Sequence, residues 1–241
     1  MAQLMSEPVS IAFDGHALDG DLVIPEAARS VVLFAHGSGS SRHSGRNRSV
    51  AEALQGAGFG TLLMDLLTED EARLDQRTQH LRFDIDLLAG RLGAALDALG
   101  EWDATRSMGV GLFGASTGAA AALKVAARRD GRIGALVSRG GRPDLGGAEL
   151  SDVRAPTLLI VGGSDREVLN LNRQAAEMLT SARIEIVPRA THLFEEPGAL
   201  EQVSSLAAGF FKEHLGASVP RPTGPDGGHF KPPEPRRRPP R

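Results

Sequence analysis

The 241-residue chain contains no cysteine. That absence removes disulfides, zinc–thiolate sites, iron–sulfur clusters and a cysteine nucleophile together. It says little about compartment, because a cysteine-free chain folds in either redox setting. Long apolar runs are also missing. The longest, such as residues 31–35, are about one strand long, whereas a membrane span needs roughly 20 residues, so no membrane association is expected. The first ten residues carry Glu7, no basic stretch and no apolar segment after them, so no signal peptide is expected and a cytoplasmic location is the default. No internal repeat is visible.

What remains is an ordinary globular composition, 41% hydrophobic and 24% charged, at a length that suits one α/β domain. A chain of this size buries about 70% or more of its unfolded surface and needs no metal or disulfide to hold a core. The net charge of −3 hides an asymmetry: residues 218–241 carry six basic and two acidic side chains, leaving that tail at +4 and the body at −7. An acidic body argues against nucleic acid as a partner. The tail also holds 8 of the 14 prolines and almost no large apolar residue. It cannot bury enough surface to offset its ordering entropy, so a domain over 1–217 and a disordered Pro/Arg-rich tail over 218–241 are expected. Arg236 to Arg238 read as part of a solvated extension, with a weak anionic anchor as the alternative.

The body alternates short β-rich runs with longer helical stretches. Residues 9–13 and 21–24 flank Asp14-Gly15 as an antiparallel pair, followed by runs at 31–35, 61–65, 108–113, 133–138, 157–161 and 184–187. Each run has few internal charges, as strands covered on both faces require. Helices fit 48–57, 82–99, 116–128, 169–179 and 197–214. The pattern predicts an α/β fold: an eight-stranded, mostly parallel twisted sheet with helices on both faces. In such sheets ligands bind at the carboxyl ends of strands, so chemistry is sought just after each run.

After the run at 108–113 comes Gly114-Ala115-Ser116-Thr117-Gly118, then four alanines. With 29 glycines in the chain a bare G-x-S-x-G carries little weight; its place between a buried strand and an Ala-rich helix carries more. A serine on such a turn is held outward in strained backbone, although a serine there could also simply cap the helix. A serine hydroxyl needs a base to become a nucleophile. A histidine can take its proton and return it to a leaving group, with a carboxylate fixing the imidazole tautomer.

Both partners are available at strand ends. Asp165 follows Gly162-Gly163-Ser164 beyond the run at 157–161, and His192 follows Pro188-Arg189-Ala190-Thr191 beyond the run at 184–187. Asp165 could instead cap a turn or helix, Glu167 is the nearest rival acid, and His192 could be an ordinary loop histidine. The order Ser116, Asp165, His192 is that of the triads in α/β-hydrolase enzymes. His80 and His214 fall in helical stretches, His16 in the hairpin and His229 in the tail, while His36 and His43 flank the loop after the third strand.

Acyl transfer also needs two donors for the developing alkoxide. The backbone N–H of Thr117, at a helix start, is one candidate. The third strand ends in His36-Gly37-Ser38-Gly39-Ser40-Ser41, and its candidate is the N–H of Ser38, chosen over Gly39. A phosphate cradle is the weaker reading of this loop, because no Lys-Ser/Thr follows at the required spacing.

On these segments, Phe34 to Gly39, Gly114 to Gly118, Gly162 to Asp165 and Ala190 to Phe194, the sequence resembles the dienelactone-hydrolase-like branch of the α/β-hydrolases over roughly residues 8 to 215. The resemblance implies the α/β-hydrolase fold and a single-domain, cofactor-free hydrolase of small-molecule esters or lactones, without a metal. One departure stands out. The founding dienelactone hydrolases use a cysteine nucleophile, and this chain has Ser116. In this fold lids usually enter after the sixth strand. Here residues 139–156 are too few for a large cap, which points to an open site for small soluble esters. Arg139, at that strand's end, is a candidate ligand for a substrate carboxylate, with an ion pair to Asp144 or Glu149 as the alternative. Rival functions are thioester cleavage or acyl transfer on the same residues, a non-catalytic binder on a hydrolase scaffold, and an interaction role for the tail. Oligomeric state is not legible.

Overall fold

The computed structural model describes residues 4–216; the expected tail over 218–241 lies outside the described residues. Eight strands form one sheet: β1 (Leu4–Phe13), β2 (His16–Pro25), β3 (Ser30–Ala35), β4 (Gly60–Met64), β5 (Gly109–Ala115), β6 (Ala135–Arg139), β7 (Thr157–Gly162) and β8 (Ala182–Val187). Their spatial order is β1-β2-β4-β3-β5-β6-β7-β8. β2 pairs antiparallel with both β1 and β4, and every other pairing is parallel. Six α-helices accompany them: α1 (Gly45–Gly56), α2 (Glu69–Thr78), α3 (Ile85–Glu101), α4 (Thr117–Arg128), α5 (Arg166–Met178) and α6 (Ala199–Leu215). This is the α/β-hydrolase arrangement, with no cap domain among the described residues.

Strand residues alternate between two cores, as the two-residue period requires. Val31, Leu33 and Ala35 of β3 face the core shared with α3, α4 and α5, and Val32 and Phe34 face the one shared with α1 and α6. Both faces are dry, which is why these strands read as unbroken apolar runs. From β3 the chain crosses one way to β4 and the other way to β5, so the order reverses between β3 and β5. The loops leaving the carboxyl ends of these strands therefore diverge and open a crevice, the usual place for a ligand in an open sheet.

Three elements differ from the sequence expectation. The structure adds α2, a 3-10 turn, Leu81–Phe83, where the helix expected over 82–99 was to begin, and a 3-10 segment, Pro143–Asp152, in the stretch too short for a cap. The α2 sequence, EDEARLDQRT, is polar on nearly all sides, so it offers no apolar stripe for a period-based reading. Its signature was the capping box: the Thr68 side chain accepts from Glu71 N–H while the Glu71 carboxylate accepts from Thr68 N–H. Among the described residues no helix is long and apolar enough to cross a membrane.

Candidate active site

Ser116 is the single residue between β5 and α4, with φ 51° and ψ −119°. This is a strained conformation for a side chain larger than glycine, and it holds the hydroxyl clear of both elements. The glycines beside it are required by space. A Cβ on Gly114 would lie 2.4 Å from Ala119 Cα, and one on Gly118 would lie 2.3 Å from the Ala35 carbonyl oxygen. The turn is pinned from β6: Ser116 N–H donates to the Arg139 carbonyl at 3.2 Å, and Arg142 N–H donates to the Ser116 carbonyl at 3.2 Å.

The imidazole of His192 reaches this serine from the loop after β8. Its Nε2 lies 3.3 Å from Ser116 Oγ, and its Nδ1 lies 2.7 Å from Asp165 Oδ2. An ionised carboxylate only accepts, so Nδ1–H donates to Asp165 and Nε2 is left to accept from the serine hydroxyl. Asp165 also caps α5, its Oδ1 accepting from Val168 N–H at 3.4 Å. The two readings of Asp165 thus coincide, one oxygen holding the helix and the other the histidine. Glu167, the rival acid, is exposed on the first turn of α5.

The His192 loop is tied down around the ring. Arg189 and Phe194 adopt positive φ on either side, and Phe194 is buried. Thr191 N–H donates to Glu196 Oε1 at 2.9 Å, and the Thr191 side chain, followed by backbone N–H groups, holds the Glu196 carboxyl below its usual range. Glu195 pairs with Arg46 of α1 at 2.8 Å. His192 itself is about two-fifths exposed, open to solvent and to an approaching ester.

A cavity of about 690 Å³ adjoins the serine turn. It is walled by the loop from His36 to Ser44, by the end of β4 and by α2, and it includes Ser38 and Thr117. Ser116 and His192 stand at its side and are not part of its wall. Thr117 is the first residue of α4, so its N–H has no partner within the helix. Ser38 N–H has no protein acceptor among the described residues either. A Cβ on Gly37 would sit 3.1 Å from the Ser116 Cβ, so the loop passes directly against the serine.

Sequence reasoning missed His36, which appeared only as a residue flanking that loop. It is buried, and Nε2 accepts from Leu66 N–H at 3.0 Å while Nδ1 lies 2.9 Å from the Gly37 carbonyl. Burial pushes the imidazole below its usual pKa, despite opposing pulls from Gly37 and Asp65. The neutral ring bridges the start of the loop to the end of β4.

Arg139 lies at the end of β6, nine-tenths covered, with Nη2 donating to Asn47 Oδ1 at 3.2 Å and Nη1 buried without a protein partner. Neither proposed ion-pair partner holds it: Asp144 pairs with Arg142 and Glu149 with Arg128. Burial, followed by repulsion from Arg46, lowers its pKa to about 10. It is not part of the cavity wall.

Comparison with known proteins bears on this geometry. The family described as "Dienelactone hydrolase family" matches residues 18–211. A Mycobacterium tuberculosis protein named "Putative phosphoribosyl transferase" is 53% identical over 214 residues, 88% of this chain. The chain spans only 46% of that relative's length. Among solved structures, a dienelactone hydrolase from Anabaena variabilis is 55% identical with a TM-score of 0.87, over 88% of this chain and 99% of that one. Est1E from Butyrivibrio proteoclasticus shares the fold at 16% identity and a TM-score of 0.74, over 87% of this chain and 99% of that one.

Proposed function

Since the chain belongs to the dienelactone hydrolase family, we propose that it is a cofactor-free serine hydrolase cleaving small carboxylic esters or lactones through an acyl-enzyme on Ser116. The observation that carries this reading is the single imidazole of His192 bridging Asp165 at 2.7 Å and Ser116 at 3.3 Å. Contacts of this length let a proton pass without further rearrangement.

The Ser116 hydroxyl gives its proton to His192 Nε2 as Oγ bonds to the carbonyl carbon. The carbonyl π electrons move to oxygen, and the backbone N–H groups of Thr117 and Ser38 receive that alkoxide; each such donor is worth on the order of 3 kcal/mol of barrier. Asp165 stabilises the imidazolium, which then protonates the departing oxygen as its bond to carbon breaks. Water, deprotonated by the same Nε2, attacks the acyl-enzyme and returns Ser116.

The transferase name of the M. tuberculosis relative belongs to a protein of about twice this length, and the segment matched here is the one with the hydrolase family pattern. That name therefore does not displace the hydrolase reading. Labelling with a fluorophosphonate probe, together with a screen of short acyl esters, thioesters and lactones, tests it. Wild type should label at Ser116 and turn over oxygen esters or lactones, and Ser116→Ala should do neither. Folded wild type that resists the probe would point to a binding protein, and turnover confined to thioesters would move the activity to that class.

A further inference from the structure

The wall of the 690 Å³ cavity identifies what enters it. Both arginines there already have carboxylate partners. Arg42 is hydrogen-bonded to Asp65 and lies within 3.7 Å of Asp19 and Asp21. Arg82 donates from Nε to the Asp75 carboxylate at 2.6 Å and from Nη2 to the Asp75 carbonyl at 2.9 Å. The wall also carries Glu69, a neutral His36, and His43, whose Nδ1 lies 3.0 Å from Arg48 Nη2, so both of its arginines are compensated by carboxylates and neither is free for an anion.

Uncharged hydrogen-bonding groups stand beside the apolar Leu66, Leu67, Ala72 and Leu88. Ser38, Ser40, Ser41 and Ser44 come from the loop after β3, and Gln76 from α2. The side chains of Ser40 and Gln76 make no hydrogen bond within the protein among the described residues.

Position assigns the occupant to one side of the scissile bond. The leaving oxygen must face His192 Nε2 to receive its proton, and the carbonyl oxygen must face Thr117 and Ser38. The remaining substituent on the carbonyl carbon is the acyl chain, and the cavity includes the donor residues Ser38 and Thr117, together with Gly37, but not His192, which meets the leaving group.

We propose that this cavity is the acyl pocket and takes a neutral acyl group bearing several hydroxyls, as in the ester or lactone of a polyhydroxylated carboxylic acid. The proposal rests on the Ser116 nucleophile reading and specifies its substrate. A site built to bond hydroxyls rejects an analogue that lacks them, because its own polar groups are then left unpaired.

The test compares kcat/KM for methyl 2,3-dihydroxybutanoate, methyl butanoate and monomethyl succinate, measured by proton release and normalised to each ester's hydroxide-catalysed rate. The dihydroxy ester should exceed methyl butanoate at least tenfold, with monomethyl succinate lowest. The double variant Ser40→Ala, Gln76→Leu should bring the first ratio towards one. A wild-type ratio at or below one, or a preference for the succinate, overturns the proposal. If wild type cleaves none of the three, fluorophosphonate labelling judges the nucleophile reading separately, and the pocket is judged by saturation-transfer NMR. Binding of 2,3-dihydroxybutanamide over butanamide, lost in the double variant, supports it; equal or absent binding of both overturns it.

Discussion

His36 and Leu66 are joined by a hydrogen bond from the Leu66 backbone N–H to the buried His36 Nε2 at 3.0 Å. Because Nε2 accepts, the neutral ring carries its proton on Nδ1 and donates it to the Gly37 carbonyl at 2.9 Å. One side chain therefore fixes the first turn of the proposed alkoxide-binding loop against the neighbouring strand end. Protonation would destroy the Leu66 bond. Since burial lowers the folded-state pKa below 6.5, the unfolded chain binds this proton first as pH falls. Stability is fully present above 6.5 and declines below it. Urea denaturation across this range should show that decline in wild type and a flatter profile in His36→Gln. His36→Ala should lower kcat more than it raises KM.

Removing members of the Ser116–His192–Asp165 line should have graded effects. Ser116→Ala should lower kcat by about 10⁶. Asp165→Asn should lower it by about 10⁴, because the amide can donate to Nδ1 and so favour the wrong tautomer. Glu167→Gln should stay within about twofold of wild type. Steady-state kinetics on one ester decide this, and a large loss in Glu167→Gln would reassign the acid.

An ion pair joins α3 to α2 beside the cavity-lining Leu66. Arg91, 1% exposed, donates to both carboxylate oxygens of Glu71 at 2.8 and 2.6 Å and to the Leu66 carbonyl at 2.8 Å. Burial works to raise the Glu71 pKa, but the bonds from Arg91 and Thr68 outweigh it and bring the carboxyl down to about 2. A depressed carboxylate contributes stability above its unfolded value of 4.5 and loses it as pH falls towards 2. Glu71→Ala strands a buried guanidinium and should cost about 3 kcal/mol near neutrality. The gap to wild type in denaturation experiments should narrow as pH drops from 4.5 towards 2.

Arg139 separates two roles. A guanidinium that greets a substrate carboxylate would, on removal, raise KM for anionic esters alone. Its cover and its bond to Asn47 at 3.2 Å favour a different outcome. It links the end of β6, whose carbonyl holds the Ser116 N–H, to the first turn of α1. Arg139→Ala should therefore lower kcat/KM for neutral and anionic esters alike, by about tenfold for a misplacement of this kind. Unequal losses would restore the carboxylate contact.

Much of the arrangement was legible in order along the chain. All eight strands overlap the short runs seen in the sequence; β3 to β7 are covered on both faces and leave little room for charge, whereas the edge strands β1 and β8 are largely exposed and carry Glu7, Arg183 and Glu185. Ser116, Asp165 and His192 were found by residue type at strand ends. Less legible was α2, whose polar sequence has no apolar face and is held by Glu71 and Asp75 pairing with Arg91 and Arg82. His36 was missed because its partners, Leu66 N–H and Gly37 C=O, are backbone groups that leave no side-chain pattern.

By itself the sequence determined the alternation of strand and helix, the strained turn at Ser116 and the types of group offered at each strand end, since these depend on neighbours close in the chain. Only the folded sheet decided that Ser116, Asp165 and His192 meet, that Asp165 serves helix and imidazole together, and that α2 walls a cavity beside the serine turn. Those relations depend on strand order and crossing direction, which bring together side chains up to 76 residues apart through contacts that no local pattern encodes.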